Sequence, residues 1–237
     1  MDGLPNYRLK IALKTNKKEL LPYNYRRSVR GLIFNLIQNI APNLQKRLCE
    51  EGYGRQRYKL FTYSFRPDEG VYSKTGFASL NDVYFLRYAS ADVACLEAVE
   101  KAVSMLNTVS LNSHTFEILE VGKEKLKEKS GSFRILSPVI ITARDGFKKY
   151  LSLPEDEAVF SQAVEESAKR RYELRMGKEG NIEVSFLHLR KRLVQYKEGN
   201  LLCFGGRVLV KAEPEMIHFV QCCGLGQKTG IGMGMIA

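Results

Sequence analysis

Near the end of the chain stands Gly224-Leu225-Gly226-Gln227-Lys228-Thr229-Gly230-Ile231-Gly232-Met233-Gly234. Five glycines in eleven residues allow positive φ and close approach of the backbone to another group. Successive N–H groups in such a loop can form an anion-binding concavity, and Lys228 adds a charge. Leu225, Ile231 and Met233 can anchor the segment in a core, which a loose tail would not need. Two nucleotide-binding readings fail. A dinucleotide fingerprint needs Gly-x-Gly-x-x-Gly ahead of a helix, but Thr229 stands where the third glycine belongs. A P-loop needs Gly-Lys-Ser/Thr, but Gln227 precedes Lys228-Thr229. The loop therefore reads as a backbone grip for phosphate, set on a packed scaffold.

The residues before it supply that scaffold. Stretch 133–142 reads as a strand, and Asp145-Gly146 as a turn. Over 154–176, Phe160, Val164, Ala168 and Tyr172 keep helical register, and Gly177 is a stop. Strand candidates follow at 182–190, 193–197 and 201–211, then a short helix at 213–223 and a last strand at 235–237. Earlier in the chain, Tyr7, Leu9, Ile11 and Leu13 alternate as one face of a strand. A turn-like stretch at 22–24 precedes an amphipathic helix carrying Val29, Leu32, Ile33, Leu36, Ile37 and Ile40. Pro42-Asn43 ends that helix and opens a short one with Leu44 and Leu48. Strands are expected at 57–66, 71–77 and 82–88, a second helix through Val93, Leu96, Val99, Val103 and Leu106, and a closing strand at 114–121. The charged stretch 122–130 reads as an exposed connector. The residues thus predict an α+β protein of two halves, 1–122 and 131–237, each an antiparallel sheet with helices on one face.

Composition narrows the partner. The 37 basic and 26 acidic side chains leave a formal charge of +11, which draws polyanions in a salt-dependent way. No run of about 18 apolar residues occurs, so no membrane span is expected. The opening Met1-Asp2-Gly3-Leu4-Pro5 is unlike a secretory signal, so a cytoplasmic location is expected. Five cysteines do not suggest a disulfide framework, and Cys222-Cys223 lacks zinc-site spacing. His114, His188 and His218 are scattered, so neither a metal nor another cofactor is expected.

The spacing Gly-hydrophobic-Gly, five residues, Gly-hydrophobic-Gly over 224–234 resembles the signature of the RAMP superfamily. Within it the chain is similar to the CRISPR-associated endoribonucleases that cut repeat RNA into guide RNAs. Tyr23-Asn24-Tyr25 ahead of Gly31-Leu32-Ile33 resembles that family's first helix. Leu48-Cys49-Glu50-Glu51-Gly52-Tyr53 and Lys59-Leu60-Phe61-Thr62-Tyr63-Ser64 resemble its second helix and next strand. The resemblance implies two tandem ferredoxin-like domains and a reaction without metal, in which a ribose 2′-hydroxyl attacks the adjacent phosphate and expels a 5′-oxygen.

Such a reaction needs a base, an acid and positive charge at the phosphate. Many members use a tyrosine, a histidine and a lysine. Carried over by position, the tyrosine is Phe34 here, the histidine is Cys49, and the lysine is retained as Lys59. Phe34 cannot transfer a proton, and a thiol with a pKa of about 8.5 is a poor base at neutral pH. Cys49 and Tyr25 are the remaining candidates for proton transfer, beside Lys59. Phe34 falls on the helix face of Arg27, Arg30 and Gln38, which suits base stacking beside phosphate contacts or a rim covered by another element. Arg55 and Arg57 lie near Lys59 in sequence. Lys169-Arg170-Arg171 falls on the long helix, and Arg190-Lys191-Arg192 between strands, from where Arg190 and Arg192 can grip RNA. The RNA-contacting loop residues are Gly224, Gly226, Lys228, Gly230, Gly232 and Gly234. Three functions remain open: a repeat-RNA endonuclease, a repeat-RNA binder of the same fold that does not cut, and a structural subunit of an RNA-guided effector. The partners expected are CRISPR repeat RNA, other effector subunits and a second copy of the chain.

Overall fold

The structure is a computed structural model that describes residues 3–17, 19–142, 156–196 and 199–237. The alternating first segment forms strand β1 (Tyr7–Lys14). A two-residue strand β2 (Leu21–Pro22) and one 3-10 turn (Tyr23–Tyr25) lead into helix α1 (Arg26–Ile40). Helix α2 (Pro42–Glu50) follows, with Pro42 in its first turn, where a missing N–H costs no hydrogen bond. Then come β3 (Phe61–Pro67), β4 (Gly70–Tyr72), β5 (Gly76–Ser79), β6 (Val83–Ser90), α3 (Val93–Ser104), β7 (Thr108–Leu111) and β8 (His114–Lys125). Asp92 caps α3 by accepting from the Ala94 N–H at 3.0 Å.

The first sheet has the order β3-β6-β1-β8-β7, with every pair antiparallel. Its four long strands and two packed helices make the ferredoxin-like pattern. Val29, Ile33, Leu36 and Ile37 of α1 and Leu96, Val99 and Val103 of α3 are buried over Leu9, Ile11, Tyr63, Phe65 and Leu86 of the sheet. Each such aliphatic side chain contributes roughly 1.5–3 kcal/mol when fully buried.

The second half holds β9 (Gly131–Arg134), α4 (Glu157–Met176), β10 (Ile182–Tyr196), β11 (Gly199–Ala212) and α5 (Pro214–Cys223). Its sheet runs β10-β11-β9, and Ile236 adds a bridge to Ile135 beyond β9. This repeats the ferredoxin-like order. Phe160, Val164, Ala168 and Tyr172 of α4 are buried with Phe133, Val184, Phe204 and Val208, and α4 ends at Gly177 as expected. The α+β class and the two-half architecture hold.

Several elements differ from the sequence reading. The strand expected from Arg57 starts at Phe61, because Arg57 and Leu60 take φ of 53° and 46° in a bend closed by the Tyr53–Tyr58 bridge. The strand expected over 71–77 is the hairpin β4–β5. The charged stretch after 122 begins inside the sheet, since β8 pairs with β1 as far as Lys125, so the division at 122 falls within a strand. Over 133–142 the end of β9 and isolated bridges at Ile135, Val139 and Thr142 form, and 235–237 contributes one such bridge. Arg190-Lys191-Arg192 lies within β10, just past a bulge, and not between strands. Asp145-Gly146 and the start of the helix expected at 154 lie outside the described residues. None of the described helices is long and apolar enough to cross a membrane.

Candidate functional site

The glycine segment is packed between the two halves. Leu225 and Met233 are fully buried, and so are Gly224, Gly226, Gly230, Gly232 and Gly234. Thr62 on β3 donates to the Met233 carbonyl at 2.8 Å, and Arg8 on β1 donates to the Ile236 carbonyl at 2.6 Å. The N–H groups of Leu225, Gln227, Gly232 and Gly234 donate to Gly234, Ile140, Thr229 and Pro138 carbonyls. Those amides hold the loop to itself and to the second half. The sequence reading, in which the whole segment grips phosphate, is therefore corrected. Gly224, Gly232 and Gly234 are packing positions, and only residues 226–231 line a cleft.

That cleft has a volume of about 860 Å³. Helix α1 contributes Arg30, the bend after α2 contributes Arg57 and Lys59, α4 contributes Arg170 and Arg171, and the loop contributes Lys228. The lining carboxylate Glu166 is bonded to Arg170 at 2.7 Å, so cations dominate the walls.

Lys59 folds back on α2. Its Nζ donates to the carbonyl of Leu48 and, at 3.4 Å, to that of Cys49. These last-turn carbonyls carry the negative end of the helix dipole. Burial, followed by the charge of Arg30, lowers the Lys59 pKa from the ordinary lysine value. Gly230 allows this placement, since a methyl there would come within 2.8 Å of Lys59 Cβ.

The other sequence candidates separate. Cys49 is exposed in the last turn of α2, and its Sγ accepts from Gln45 at 3.2 Å. Phe34 offers no free stacking face. Its ring is 7% exposed, packs edge-on against Phe61 and lies under the Arg30 guanidinium. Tyr25 does not join Lys59 in the cleft. It is buried against Phe65 and Phe77 and lines a second groove of about 560 Å³. Arg192 lines that groove too, with Arg26, Arg66, Arg134 and Tyr72. Burial lowers the Arg66 pKa from its ordinary value, and the charges of Arg134 and Arg192 add to this. Arg27, Arg55 and Arg190 are exposed and lie in the lining of neither.

Sequence reasoning missed the role of α4 as a wall. Arg171 stands seven residues after Val164 and three after Ala168, on the apolar stripe itself, a signal hidden inside the basic run 169–171. Arg26, Arg66 and Arg134 had no signal, because only the tertiary fold brings them together.

Residues 121–237 match the family model described as "CRISPR associated protein Cas6, C-terminal". The chain is 23% identical over 238 residues to CRISPR-associated endoribonuclease Cas6 1 of Methanocaldococcus jannaschii, covering 97% of this chain and 91% of that protein. A solved structure described as "Characterization of a Cas6-related gene from Pyrococcus furiosus" superposes with a TM-score of 0.83 at 20% identity, over 98% of each chain. Another, described as "An RAMP protein binding different RNA substrates", gives a TM-score of 0.81 at 20% identity over 97% of this chain and 98% of that one. Residues 121–237 thus carry the Cas6 C-terminal family match, and the whole chain, with its paired ferredoxin-like halves and the glycine loop wedged between them, is similar in sequence to a Cas6 endoribonuclease and in fold to these two solved structures.

Proposed function

We propose that the cleft binds CRISPR repeat RNA and cuts it by transfer of the phosphate to the neighbouring ribose 2′-oxygen, without a metal. The convergence of Lys59, Arg30, Arg57 and Lys228 on residues 226–231 carries this reading. The 2′-oxygen forms a bond to phosphorus and gives up its proton, and the 5′-oxygen leaves and takes one up. The products are a cyclic phosphate and a 5′-hydroxyl end. Lys59, held at the end of α2, stabilises the charge that grows on the phosphate, and Arg57 and Arg30 extend the same field. Residues 226–231 place the backbone beside it. The second groove, with Arg192 and Tyr72, takes a further single-stranded stretch of the same RNA. Other effector subunits or a second copy of the chain add contacts outside these two regions.

Incubation of the purified chain with labelled repeat RNA in EDTA tests the reading. A product ending in a cyclic phosphate supports it, and intact RNA under tight binding overturns cleavage. The second outcome would favour a repeat-RNA binder that does not cut, a reading motivated by Phe34 and Cys49 at the two proton-transfer positions and by the distance of Tyr25 from the cleft lining. Weak binding by the isolated chain would favour a structural subunit.

Two substitutions sharpen this. Cys49 is exposed, so Cys49→His costs no core packing, and an imidazole there restores a group with a pKa near neutrality. Single-turnover cleavage is expected to rise by about tenfold or more, as part of the roughly 10²–10⁴-fold that general acid–base catalysis contributes. An unchanged rate would place position 49 away from the reacting phosphate or make Phe34 the greater defect. Lys228 is exposed on the rim, so Lys228→Ala is expected to weaken binding of all repeat sequences alike. It should also reduce the slope of log K against log salt by about 0.7, the value for one phosphate contact on a single strand. A salt titration of binding that gives the parent slope would remove Lys228 from the interface.

A further inference from the structure

Arg171 is the largest of the fully buried side chains among the described residues, 2% exposed in the second half of α4. A buried charge is ordinarily matched by an opposite one, because an unmatched ion loses its hydration without return. The Arg171 partners are instead all neutral. Its Nε donates to the Ser167 carbonyl at 3.1 Å, Nη1 to the Cys223 carbonyl at 3.1 Å and to Thr229 Oγ1 at 3.5 Å, and Nη2 to the Gly224 carbonyl at 2.8 Å. Cys223 ends α5, so the guanidinium closes the negative end of that helix from outside. One turn earlier on α4, Ser167 Oγ donates to the Gly226 carbonyl at 3.1 Å. Helix α4 therefore holds the carbonyls on both sides of Leu225 and reaches Thr229, where the loop turns toward Gly230.

Gly230 is the residue against which the Lys59 stem rests. From this chain of contacts we propose that Arg171 is a positioning residue, which fixes the glycine loop from behind and through Gly230 sets the Lys59 stem in the cleft. A planar fork is needed for the task, since one guanidinium must reach carbonyls in two directions at once and the ammonium of lysine is a compact point. Among the described residues no carboxylate competes for Arg171, so its charge adds to the field behind residues 226–231, where this reading of the cleft places the RNA phosphate.

The test uses the full chain with Arg171→Lys and Arg171→Gln, and reads amide hydrogen exchange beside single-turnover cleavage of repeat RNA. Exchange in residues 224–231 is expected to speed up by about tenfold or more, while β1 and β6 keep the parent pattern. At saturating RNA the cleavage rate is expected to fall by about tenfold or more with the Kd changed less than about threefold, because misplacement of reacting groups acts on rate more than on binding. The lysine variant should recover part of both losses. The cleavage arm rests on the proposed activity, and the exchange arm does not. If the parent protein leaves repeat RNA intact, the activity is wrong, and exchange alone decides the role of Arg171. Faster exchange throughout α4 and α5 with an unaltered cleavage rate would make Arg171 an ordinary core residue and overturn the proposal. So would a raised KM with an unchanged kcat, which describes a direct binding contact. Should the glutamine variant not fold, the lysine variant carries both measurements.

Discussion

Replacing Gly234 by alanine is expected to destabilise the protein by roughly 2–5 kcal/mol, combining the cost of a left-handed backbone with that of overpacking. Gly234 has a φ of 75°, and a methyl group on it would sit inside the contact distance of the Leu225 carbonyl oxygen. Neither neighbour can move freely. The Gly234 carbonyl accepts from the Leu225 N–H and its own N–H donates to the Pro138 carbonyl, both at 2.8 Å. For a chain of 237 residues, a loss of that size lowers Tm by on the order of ten degrees. Thermal unfolding measures it directly. RNA binding should fall with it above the new midpoint, since the same segment lines the cleft. A Tm within two or three degrees of the parent would mean that the loop is not wedged as described.

The second large effect concerns Lys59. Lys59→Met keeps the length of the stem that packs on Gly230 but removes the ammonium. Loss of one positioned charge from a developing anion costs about 10²–10³-fold in rate. A fall of that size is expected in single-turnover cleavage, with binding weakened by less than about tenfold, because Arg30, Arg57 and Lys228 still line the cleft. Stability should change little, since a cation at a helix C-terminus is worth about 0.3–1 kcal/mol. A rate within threefold of the parent would reduce Lys59 to a cap on α2. Lys59→Arg is a useful companion, because a guanidinium keeps charge but does not fit the two carbonyls of Leu48 and Cys49 in the same way.

Much of this architecture was legible before the fold was known, and the exceptions have physical causes. The period of Tyr7, Leu9, Ile11 and Leu13 and the stripe of Val29, Ile33, Leu36 and Ile37 recur as buried faces, because local periodicity and burial coincide in long amphipathic elements. Strand β7 escaped notice because four residues directly after a helix carry too short a pattern. Strand β10 appeared as two pieces because its bulge and its basic run interrupt the alternation on an edge strand exposed to solvent. Of the cleft lining, Lys59 came from the family resemblance, while residues 226–231, Arg30 and Arg57 stood out as glycines and cations at those positions. Phe34 stayed between stacking and a covered rim, because a helical wheel counts faces and cannot show that Phe61 of β3 covers one of them. Arg171 was hidden for the opposite reason. A charge is ordinarily assigned to solvent, and only the carbonyls of Cys223 and Gly224 make its burial possible.

The order of the chain gives the glycine segment a further meaning. Lys59 lies in the first half, and the wall it faces comes from residues 226–231. On a ribosome adding about 5–20 residues per second, Lys59 is made on the order of ten to thirty seconds before that wall exists. The first half can fold during this interval, but its basic surface has no second wall against which to hold a strand of RNA. The cleft is therefore complete only once residues 226–231 have been made and packed against the first half, so its two walls come together late in synthesis.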